Sequence, residues 1–260
     1  MQYDNLLVEE REGIILLTIN REKALNALNT QTMLELFQFF SSDYPKSDHI
    51  KGIVITGAGD RAFVAGADIK EFLDLDPKKG AEMAKRGHDI FFMIEQFPKP
   101  VVAAIHGFAL GGGCELAMAC HLRVATPEAR FGQPEVNLGI VPGYGGTQRL
   151  IQYLGKTRAL EYLMTADLFD AHQALSWGLL NHVVPRESLL DTAFGLIQKI
   201  ASKGPVAISK IIELVNVYFS NPGEGFAREL EAFGATTGTR DFREGASAFI
   251  EKRPAKFTGK

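Results

Sequence analysis

Cysteine is nearly absent from this chain of 260 residues, which contains only Cys114 and Cys120. Two cysteines provide no framework of disulfide bonds. Their neighbours are alanine, leucine and methionine, which predicts that both thiols are buried on a helix as small apolar groups. The scarcity of cysteine favours a reducing compartment.

An excess of charge of one sign and long hydrophobic runs are also missing. The formal net charge is -3, and no basic cluster is interleaved with aromatic residues, which argues against nucleic acid as the main partner. No uninterrupted apolar run approaches the roughly 20 residues of a membrane span, so we predict no membrane partner. The first 13 residues mix acidic and apolar side chains, unlike a secretory signal or a transit peptide. These observations predict a cytoplasmic protein.

Several common catalytic motifs are absent. The chain has no G-x-S-x-G, no H-E-x-x-H and no pair of C-x-x-C motifs, so serine hydrolase and zinc chemistry have no anchor and we predict no metal site. Residues 57–62 match the dinucleotide fingerprint G-x-G-x-x-A, but residues 63–67 favour a strand where that fingerprint requires a helix. Residues 155–157 resemble the end of a P-loop, yet Leu150 stands where its first glycine is required. Both kinds of nucleotide binding are disfavoured.

Strands and helices are predicted to alternate in the N-terminal part. Helical spacing of apolar residues predicts one helix from Asn29 or Thr30 through Phe40 and another from Gly80 to Phe97. With 46% hydrophobic residues, the chain is able to bury a substantial core. The N-terminal part is therefore α/β. Short β-branched runs bounded by turn residues predict buried strands at residues 13–19 (GIILLTI), 52–56 (GIVIT) and 101–105 (VVAAI).

The sequence changes in character from Arg186 onward. Amphipathic segments then follow one another with almost no strand signal, which predicts a helical C-terminal part. We divide the chain into a core of residues 1–195 and a helical region of residues 196–260. A helical region of this size has little interior of its own, so we expect it to cover the main body or a neighbouring subunit. The predicted helical segments are residues 187–204, 205–219, 222–238 and 241–252.

Two carboxylates, Glu115 and Glu135, lie in segments dominated by glycine and apolar residues. An isolated carboxylate in such surroundings is unfavourable unless it is paired, protonated or used in chemistry. One interpretation is acid/base catalysis. The other is that each glutamate forms an inert ion pair with an arginine such as Arg123, Arg130 or Arg149. The residues alone leave both interpretations open.

Glycine is concentrated at the ends of the predicted strands, and the triple Gly111 to Gly113 is the most informative case. It lies between the predicted strand 101–105 and a predicted helix that begins with the sequence GCELAMAC. Backbone N–H groups at a helix N-terminus favour negative charge, so a developing oxyanion would be stabilised there. Tight turns explain single glycines elsewhere equally well.

Four segments resemble the enoyl-CoA hydratase/isomerase family, also called crotonases. The resemblance implies an α/β fold, with a crotonase-like spiral of ββα units over residues 1–195 and an α-helical C-terminal trimerisation region over residues 196–260. It also implies a homo-oligomer, usually a hexamer built as a dimer of trimers. The segments are residues 20–29 (NREKALNALN), 61–72 (RAFVAGADIKEF), 99–167, which contain both glutamates, and 242–253 (FREGASAFIEKR).

The resemblance further implies the chemical device that this family shares, in which two backbone N–H groups hold the thioester oxygen of an acyl-CoA while it gains enolate character. These oxyanion donors would belong to Ala67 and Gly112. In hydratases of the family two glutamates hold one water over the double bond. Glu115 would then act as the base toward that water, and Glu135 would supply the proton to the α carbon. The N–H of Gly143 resembles an additional water contact.

Retention of both glutamates favours a hydratase, because isomerases of the family usually lack the residue that corresponds to Glu115. The implied reaction is syn addition of water to trans-2-enoyl-CoA, giving 3-hydroxyacyl-CoA, in fatty-acid β-oxidation or related acyl-CoA catabolism. No cofactor is implied, since coenzyme A is part of the substrate. The alternatives are a hydratase for a branched, aromatic or dicarboxylic enoyl-CoA, an enoyl-CoA isomerase, and a catalytically silent acyl-CoA-binding subunit.

Coenzyme A is implied to lie against residues 23–28 and against the backbone of residues 65–69. Lys70 and Lys252 would approach its phosphates, Lys252 from a neighbouring subunit, and Phe249 would lie near the pantetheine. Solvated surface lysines are the alternative for each lysine. The implied substrate contacts are Lys23, Ala24, Leu25, Ala65, Ala67, Asp68, Ile69, Lys70, Gly111, Gly112, Pro134, Phe249 and Lys252.

Two positions depart from the family pattern. Tyr144 stands where many members have alanine or phenylalanine, which would alter the acyl pocket. Pro254 stands where a further lysine is common, which would weaken the contact with coenzyme A. The predicted helix of residues 80–97 would shape the acyl tunnel, but its sequence matches nothing specific. The sequence therefore predicts no preference for acyl chain length.

Overall fold

Short strands and helices alternate through the N-terminal part of the chain, as predicted. The computed structural model describes residues 3–73, 75–221 and 223–260. Its strands are β1 (Leu6–Arg11), β2 (Ile14–Ile19), β3 (Gly52–Gly57), β4 (Ala62–Val64), β5 (Val101–Ile105), β6 (Phe108–Leu110), β7 (Leu122–Ala125), β8 (Arg130–Gly132), β9 (Phe169–Asp170) and β10 (His182–Val183). Its α-helices are α1 (Thr30–Ser41), α2 (Pro77–Glu95), α3 (Gly112–Ala119), α4 (Gly146–Thr165), α5 (Ala171–Ser176), α6 (Leu189–Ala201), α7 (Pro205–Ser220), α8 (Gly225–Thr237) and α9 (Arg240–Ile250).

The strands form two sheets, and the chain passes from one sheet to the other in each structural unit. The first sheet has the order β1-β2-β3-β5-β7-β10 and the second the order β4-β6-β8-β9. The consecutive strands β3 and β4, β5 and β6, and β7 and β8 are thus split between the sheets, and α2, α3 and α4 follow the three pairs. Equivalent strands of successive units pair in parallel. This is the predicted spiral of strand-strand-helix units, and the fold class is confirmed.

Strands β3 and β5 are buried on both faces, which explains why their sequences are continuous apolar runs. Successive side chains of a strand point to opposite faces. Ile53 and Ile55 pack into the main core together with side chains of α1, α2 and α3. Val54, which lies between them, packs on the other face with Ala193 and Ile197 of α6. Helix α6 therefore belongs to the packing of the first sheet.

The two predicted N-terminal helices are present, and their boundaries follow from their caps. Asn29 accepts a hydrogen bond from the N–H of Thr32, and α1 begins at the next residue after this cap. Helix α2 begins three residues before the predicted Gly80, because Asp76 caps it through the N–H of Lys79. Proline at its first position supplies a helical φ without losing an intrahelical hydrogen bond.

The predicted helices of the C-terminal part are present as α6 to α9. Pro222, where one predicted segment begins, lies outside the described residues. The predicted division between residues 195 and 196 falls within α6, and the division into two domains stays a prediction. Helices α7 to α9 direct large apolar side chains to the surface of the chain. The exposed ones include Ile211, Val215, Tyr218, Phe219, Phe226, Leu230, Phe233, Phe242, Phe249 and Ile250.

Among the described residues, no helix combines the length and the apolar character that crossing a membrane would require.

Candidate active site

The N-terminus of α3 is brought close to β4 by glycine. Gly111 precedes the helix with φ 48° and ψ -122°, a backbone conformation that residues other than glycine rarely adopt. A Cβ on Gly113 would collide with the carbonyl of Val64. The first N–H groups of a helix have no partner within the helix, so the N–H of Gly112 is available to a ligand.

A second backbone N–H belongs to the segment after β4. The N–H of Leu28 donates to the carbonyl of Gly66 at 2.8 Å, and the N–H of Asp68 donates to the carbonyl of Leu28 at 2.9 Å. Residues 66 and 68 therefore face Leu28. Because backbone groups of successive residues in extended chain point in opposite directions, the N–H of Ala67 points away from Leu28.

Ala67 and Gly112 line one cavity of about 720 Å³. Both carboxylates singled out in the sequence, Glu115 and Glu135, line the same cavity, as do Ile69 and Gly143. The remaining wall is mostly aliphatic. The structure thus brings together the two predicted oxyanion donors, the two predicted acid/base residues and the predicted water contact. The aliphatic and aromatic lining includes Phe72, Leu73, Leu75, Met83, Leu138, Ile140, Val141 and Tyr144.

Glu115 lies on the first turn of α3 and is only 1% exposed. Its Oε1 accepts hydrogen bonds from the backbone N–H of Tyr144 at 2.8 Å and of Gly146 at 2.6 Å. Burial, and then the nearby Glu135, raise the pKa of Glu115 from its ordinary value of 4.5 to about 7, while the two N–H donors and Arg149 lower it. A carboxyl group with such a pKa exchanges protons near neutral pH.

Glu135 lies in a 3₁₀ turn, Pro134–Leu138, on the other side of Gly111. An ideal Cβ on Gly111 would be 2.5 Å from Oε1 of Glu135, so the carboxylate rests against the α carbon of this glycine. With its amide nitrogen turned toward Glu135, Gln133 donates to Oε1 at 3.3 Å and to Oε2 at 3.2 Å. Burial also raises the pKa of Glu135. The two carboxyl groups thus share a site that favours one proton between them.

The arginines considered as ion-pair partners are used elsewhere. Arg149 pairs with Glu95, with 3.0 Å between Nη2 and Oε2. Arg123 donates to backbone carbonyls, including that of Cys120 at 2.6 Å, and Arg130 donates to the carbonyl of Ala129 at 2.9 Å. Among the ion pairs between described residues, none includes Glu115 or Glu135. The interpretation of both glutamates as inert ion-pair partners is therefore wrong.

The ring of Tyr144 forms part of the cavity wall. A Cβ on Gly87 would collide with this ring, so glycine at position 87 lets the ring lie directly against α2. Phe91 of α2 meets the ring edge-on, with the ring centroids 5.6 Å apart. On the other side, an ideal Cβ on Gly112 would be 3.4 Å from the ring. The ring is wedged between α2 and the start of α3 and bounds the space beside the predicted oxyanion donor.

The predicted coenzyme A contacts of the core lie near the cavity. The N–H of Ala65 donates to the carbonyl of Leu25 at 3.0 Å, which places the segments 23–25 and 65–68 side by side. Lys23 and Ala24 line a separate cavity of about 420 Å³. Asp68 forms an ion pair with Arg21 at 2.9 Å. Lys70, two residues after Asp68, is exposed. Gly111 and Pro134 flank Glu135.

Phe249 lies in the last turn of α9 and Lys252 two residues after the end of this helix, and among the described residues neither lines either cavity. Phe249 is 86% exposed. Contact of these residues with substrate in the same chain is thus not shown, and the expectation that Lys252 serves a neighbouring subunit stays a prediction.

Sequence reasoning missed the groups that hold Glu115. In the segment PGYGG the sequence predicted only the N–H of Gly143, as a water contact. The N–H groups that donate to Glu115 are those of Tyr144 and Gly146. Backbone donors leave no mark on residue type, so no signal in the sequence identified them. The positive φ of Gly145, 101°, turns the backbone so that both flanking N–H groups face one oxygen.

Comparison with known protein families gives a match over most of the chain. A family model described as Enoyl-CoA hydratase/isomerase matches residues 9–260. The crotonyl-CoA hydratase of Syntrophomonas wolfei subsp. wolfei is 43% identical, with all of both chains covered. The short-chain-enoyl-CoA hydratase of Clostridium acetobutylicum is 42% identical over 97% of each chain.

Solved structures are similar over the same length. The crystal structure of an enoyl-CoA hydratase from Bacillus anthracis has a TM-score of 0.92 and 35% identity, covering 99% of this chain and 100% of the other. A Geobacillus kaustophilus structure described as subunit I of an enoyl-CoA hydratase has a TM-score of 0.94 and 36% identity, with both chains fully covered. The similarity therefore includes the C-terminal helices as well as the spiral.

Proposed function

The chain belongs to the enoyl-CoA hydratase/isomerase family, and on that premise we propose that it is an enoyl-CoA hydratase. It adds water to the double bond of a trans-2-enoyl-CoA and gives a 3-hydroxyacyl-CoA. The observation that carries this assignment is the placement of two carboxyl groups, Glu115 and Glu135, in one cavity with two backbone donors.

The proposed mechanism uses each of these groups once. Glu115 takes a proton from the bound water as the water oxygen adds to carbon 3 of the enoyl group. Electron density moves through carbon 2 to the thioester oxygen, which the N–H groups of Ala67 and Gly112 stabilise as it becomes an enolate. Glu135 gives its proton to carbon 2, which restores the thioester carbonyl. The hydroxyl group and the proton are thus added from the face that the two carboxyl groups share, and transfer of the proton from Glu115 to Glu135 restores the starting state.

The hydrogen bonds support this division of roles. Two backbone N–H groups donate to Oε1 of Glu115, and hydrogen bonds to the charged form favour a carboxylate. Glu115 is therefore the better candidate for the ionised base. Glu135 accepts from the neutral side-chain amide of Gln133 and from its own backbone N–H, one backbone donor against the two of Glu115, and we assign the proton to it at the start of the reaction. The order of protonation belongs to the pair as a unit.

For the acyl group we propose a short unbranched chain. The relatives named as crotonyl-CoA and short-chain-enoyl-CoA hydratases support this choice, as does the Tyr144 ring beside Gly112, which narrows the cavity next to the reacting carbons. The nucleotide portion of the substrate is proposed to lie along residues 23–25 and 65–70. Beyond coenzyme A, which is part of the substrate, the chemistry above calls for no further reactant than water.

Incubation of the purified chain with crotonyl-CoA tests the proposal. We expect the ultraviolet absorbance of the enoyl thioester to fall while the product gains the mass of one water. An isomerase would leave the mass unchanged. A silent binding subunit would leave both absorbance and mass unchanged while crotonyl-CoA still raised its melting temperature, and either result would overturn the assignment. Branched, aromatic and dicarboxylic enoyl-CoA thioesters in the same assay, compared by kcat/KM, rank the alternative substrates.

We also expect the chain to assemble into trimers, with hexamers formed from two of them. Phe226, Leu230 and Phe233 of α8 are each at least 70% exposed in the single chain, an apolar surface that soluble monomers rarely carry. Light scattering coupled to size exclusion measures the mass of the particle. A monomer at micromolar concentration would contradict this expectation.

We also predict a cytoplasmic location for the protein. Fractionation of the cells that produce it tests this prediction.

A further inference from the structure

The backbone turn that holds Glu115 is itself held by a buried arginine. Arg149 lies on the first turn of α4, and its side chain is 4% exposed. Its Nη1 donates to the carbonyl of Tyr144 at 2.8 Å. The N–H of the same residue, Tyr144, donates to Oε1 of Glu115. One peptide segment thus connects the guanidinium group to the carboxylate.

Glycine at position 145 is required by this arrangement. Gly145 has φ 101°, and a Cβ at this position would collide with Nη1 of Arg149. The guanidinium group therefore packs directly on the backbone of the turn. On the other side of the turn, the N–H of Gly146 reaches the same oxygen of Glu115. The position of the guanidinium group consequently affects both N–H donors.

Glu95 and Phe92, both on α2, orient the arginine. Nε of Arg149 donates to Oε1 of Glu95 at 3.3 Å, and Nη2 donates to Oε2 at 3.0 Å, a two-point contact that fixes the plane of the guanidinium group. The ring of Phe92 lies 5.1 Å from the guanidinium carbon. The backbone carbonyl of Glu95 accepts a hydrogen bond from Nδ2 of Asn216 at 2.6 Å, which ties the end of α2 to α7.

We propose that Arg149, oriented by Glu95, is a positioning residue for the hydration reaction: it holds the Tyr144–Gly146 turn so that two backbone N–H groups meet Oε1 of Glu115. The inference rests on the proposed function for its effect on rate, but the geometry it describes is independent of the substrate. Neither Arg149 nor Glu95 is among the described residues that line the cavity, so neither is expected to touch the substrate.

The charge of Arg149 acts in the same direction as the hydrogen bonds. Among the charged groups around Glu115, Glu135 raises its pKa and Arg149 lowers it. Loss of the arginine charge should therefore raise the pKa of the base, and the ionised form of Glu115 would appear at higher pH. Loss of Glu95 leaves the arginine charge in place but removes the contact that orients it.

Three variants separate these effects. We expect Arg149→Met to lower kcat by about 10- to 100-fold, which is less than the roughly 10²- to 10⁴-fold that acid/base catalysis usually contributes, because Glu115 itself is still present. The KM for crotonyl-CoA should change less than about threefold. Its acid limb in kcat/KM should move to higher pH. Arg149→Lys keeps the charge and should restore the acid limb, but only part of kcat, because lysine lacks the planar fork. Glu95→Gln should lower kcat several-fold without moving the acid limb.

Arg158→Met is the matched control. Arg158 lies on the same helix, α4, and stacks on Trp177 at 5.2 Å as Arg149 stacks on Phe92. It is not among the groups that shift the pKa of Glu115, so kcat and the pH profile should remain those of the unaltered chain. If Arg149→Met proved as active as the unaltered chain, or shifted only its melting temperature, the inference would be wrong.

A titration without substrate distinguishes failure of this inference from failure of the proposed function. Carbon-13 labelling of glutamate side chains allows the carboxyl group of Glu115 to be followed by NMR, with Glu115→Gln providing the assignment. We expect its titration to move to higher pH in Arg149→Met and to return in Arg149→Lys. An unmoved titration overturns the inference even in an active hydratase. If Arg149→Met does not fold, Arg149→Lys and Glu95→Gln decide through kcat against unaltered KM.

Discussion

Replacement of Glu115 by glutamine is expected to lower kcat for hydration of crotonyl-CoA by about 10²- to 10⁴-fold while the folded chain persists. The glutamine amide cannot take a proton from water, but its oxygen is able to accept hydrogen bonds from the N–H groups of Tyr144 and Gly146 as the carboxylate does. Binding of crotonyl-CoA, measured by calorimetry, should change little, because the oxyanion donors and the aliphatic wall are untouched.

The same variant is expected to be more stable than the unaltered chain at alkaline pH. The pKa of Glu115 is raised from 4.5 to about 7 by burial and by Glu135. A group whose pKa is higher in the folded than in the unfolded state favours folding below the unfolded value, and this contribution is lost as pH rises through the folded value. The difference in unfolding free energy should therefore grow between about pH 4.5 and 7. It amounts to roughly 1.4 kcal/mol per pH unit at most.

Denaturant unfolding at pH 4.5 and at pH 8, together with the crotonyl-CoA assay, measures both effects. Glu128→Gln is the control, because Glu128 is an exposed glutamate that does not line the cavity, and its activity and stability should match those of the unaltered chain at each pH. Hydration at the unaltered rate by Glu115→Gln would remove this residue from the mechanism. An inactive variant that was also less stable at pH 8 would mean that the carboxylate is structurally required.

The second large effect is expected for Gly111→Ala, which should lower kcat/KM by about 100- to 1000-fold, the usual effect of losing an oxyanion donor. The new Cβ would be 2.5 Å from Oε1 and 3.4 Å from Cδ of Glu135, so the carboxyl group must move. The φ of 48° with ψ of -122° also strains any residue with a Cβ, at a cost of roughly 1–3 kcal/mol. Because Gly111 precedes Gly112, relief of either strain shifts the N–H that receives the thioester oxygen.

Gly195→Ala provides the matched control for this prediction. An ideal Cβ on Gly195 meets nothing within 4 Å, and the residue lies inside α6. Alanine there should stabilise the chain by roughly 0.5–1 kcal/mol and leave turnover unchanged. Melting temperatures and crotonyl-CoA turnover are compared for the two variants. Full activity in Gly111→Ala would show that the conformation of this glycine is not needed for catalysis.

The sequence predicted those parts of the fold that depend on neighbouring residues. Continuous β-branched runs identified the strands β2, β3 and β5, and the cap Asn29 agrees with the start of α1. Helix α2 was predicted too, although it starts three residues before the predicted Gly80 because Asp76 caps it. The helical C-terminal part followed from amphipathic spacing. These features arise from backbone preferences and from contacts a few residues apart, so a linear reading is sufficient for them.

The candidate site was only partly predictable. Glu115 and Glu135 stood out because carboxylates are unfavourable among glycine and apolar residues, and that argument needs no partner. The same argument left inert pairing with Arg149 open. Only the tertiary structure shows that Arg149 contacts Glu95, 54 residues earlier in the chain. Neither the spacing nor the composition of the residues predicted the contact between the Tyr144 ring and Gly87.

By itself, the sequence determined the class of fold, the family resemblance and the two carboxyl groups on which the proposed chemistry depends. The tertiary structure decided which groups those carboxyl groups meet. The hydrogen bonds from Tyr144 and Gly146 to Glu115 span 29 and 31 residues, and they come from backbone atoms that every residue type except proline possesses. Their direction depends on how α4 packs against α3, and packing between distant segments is a property of the folded chain alone.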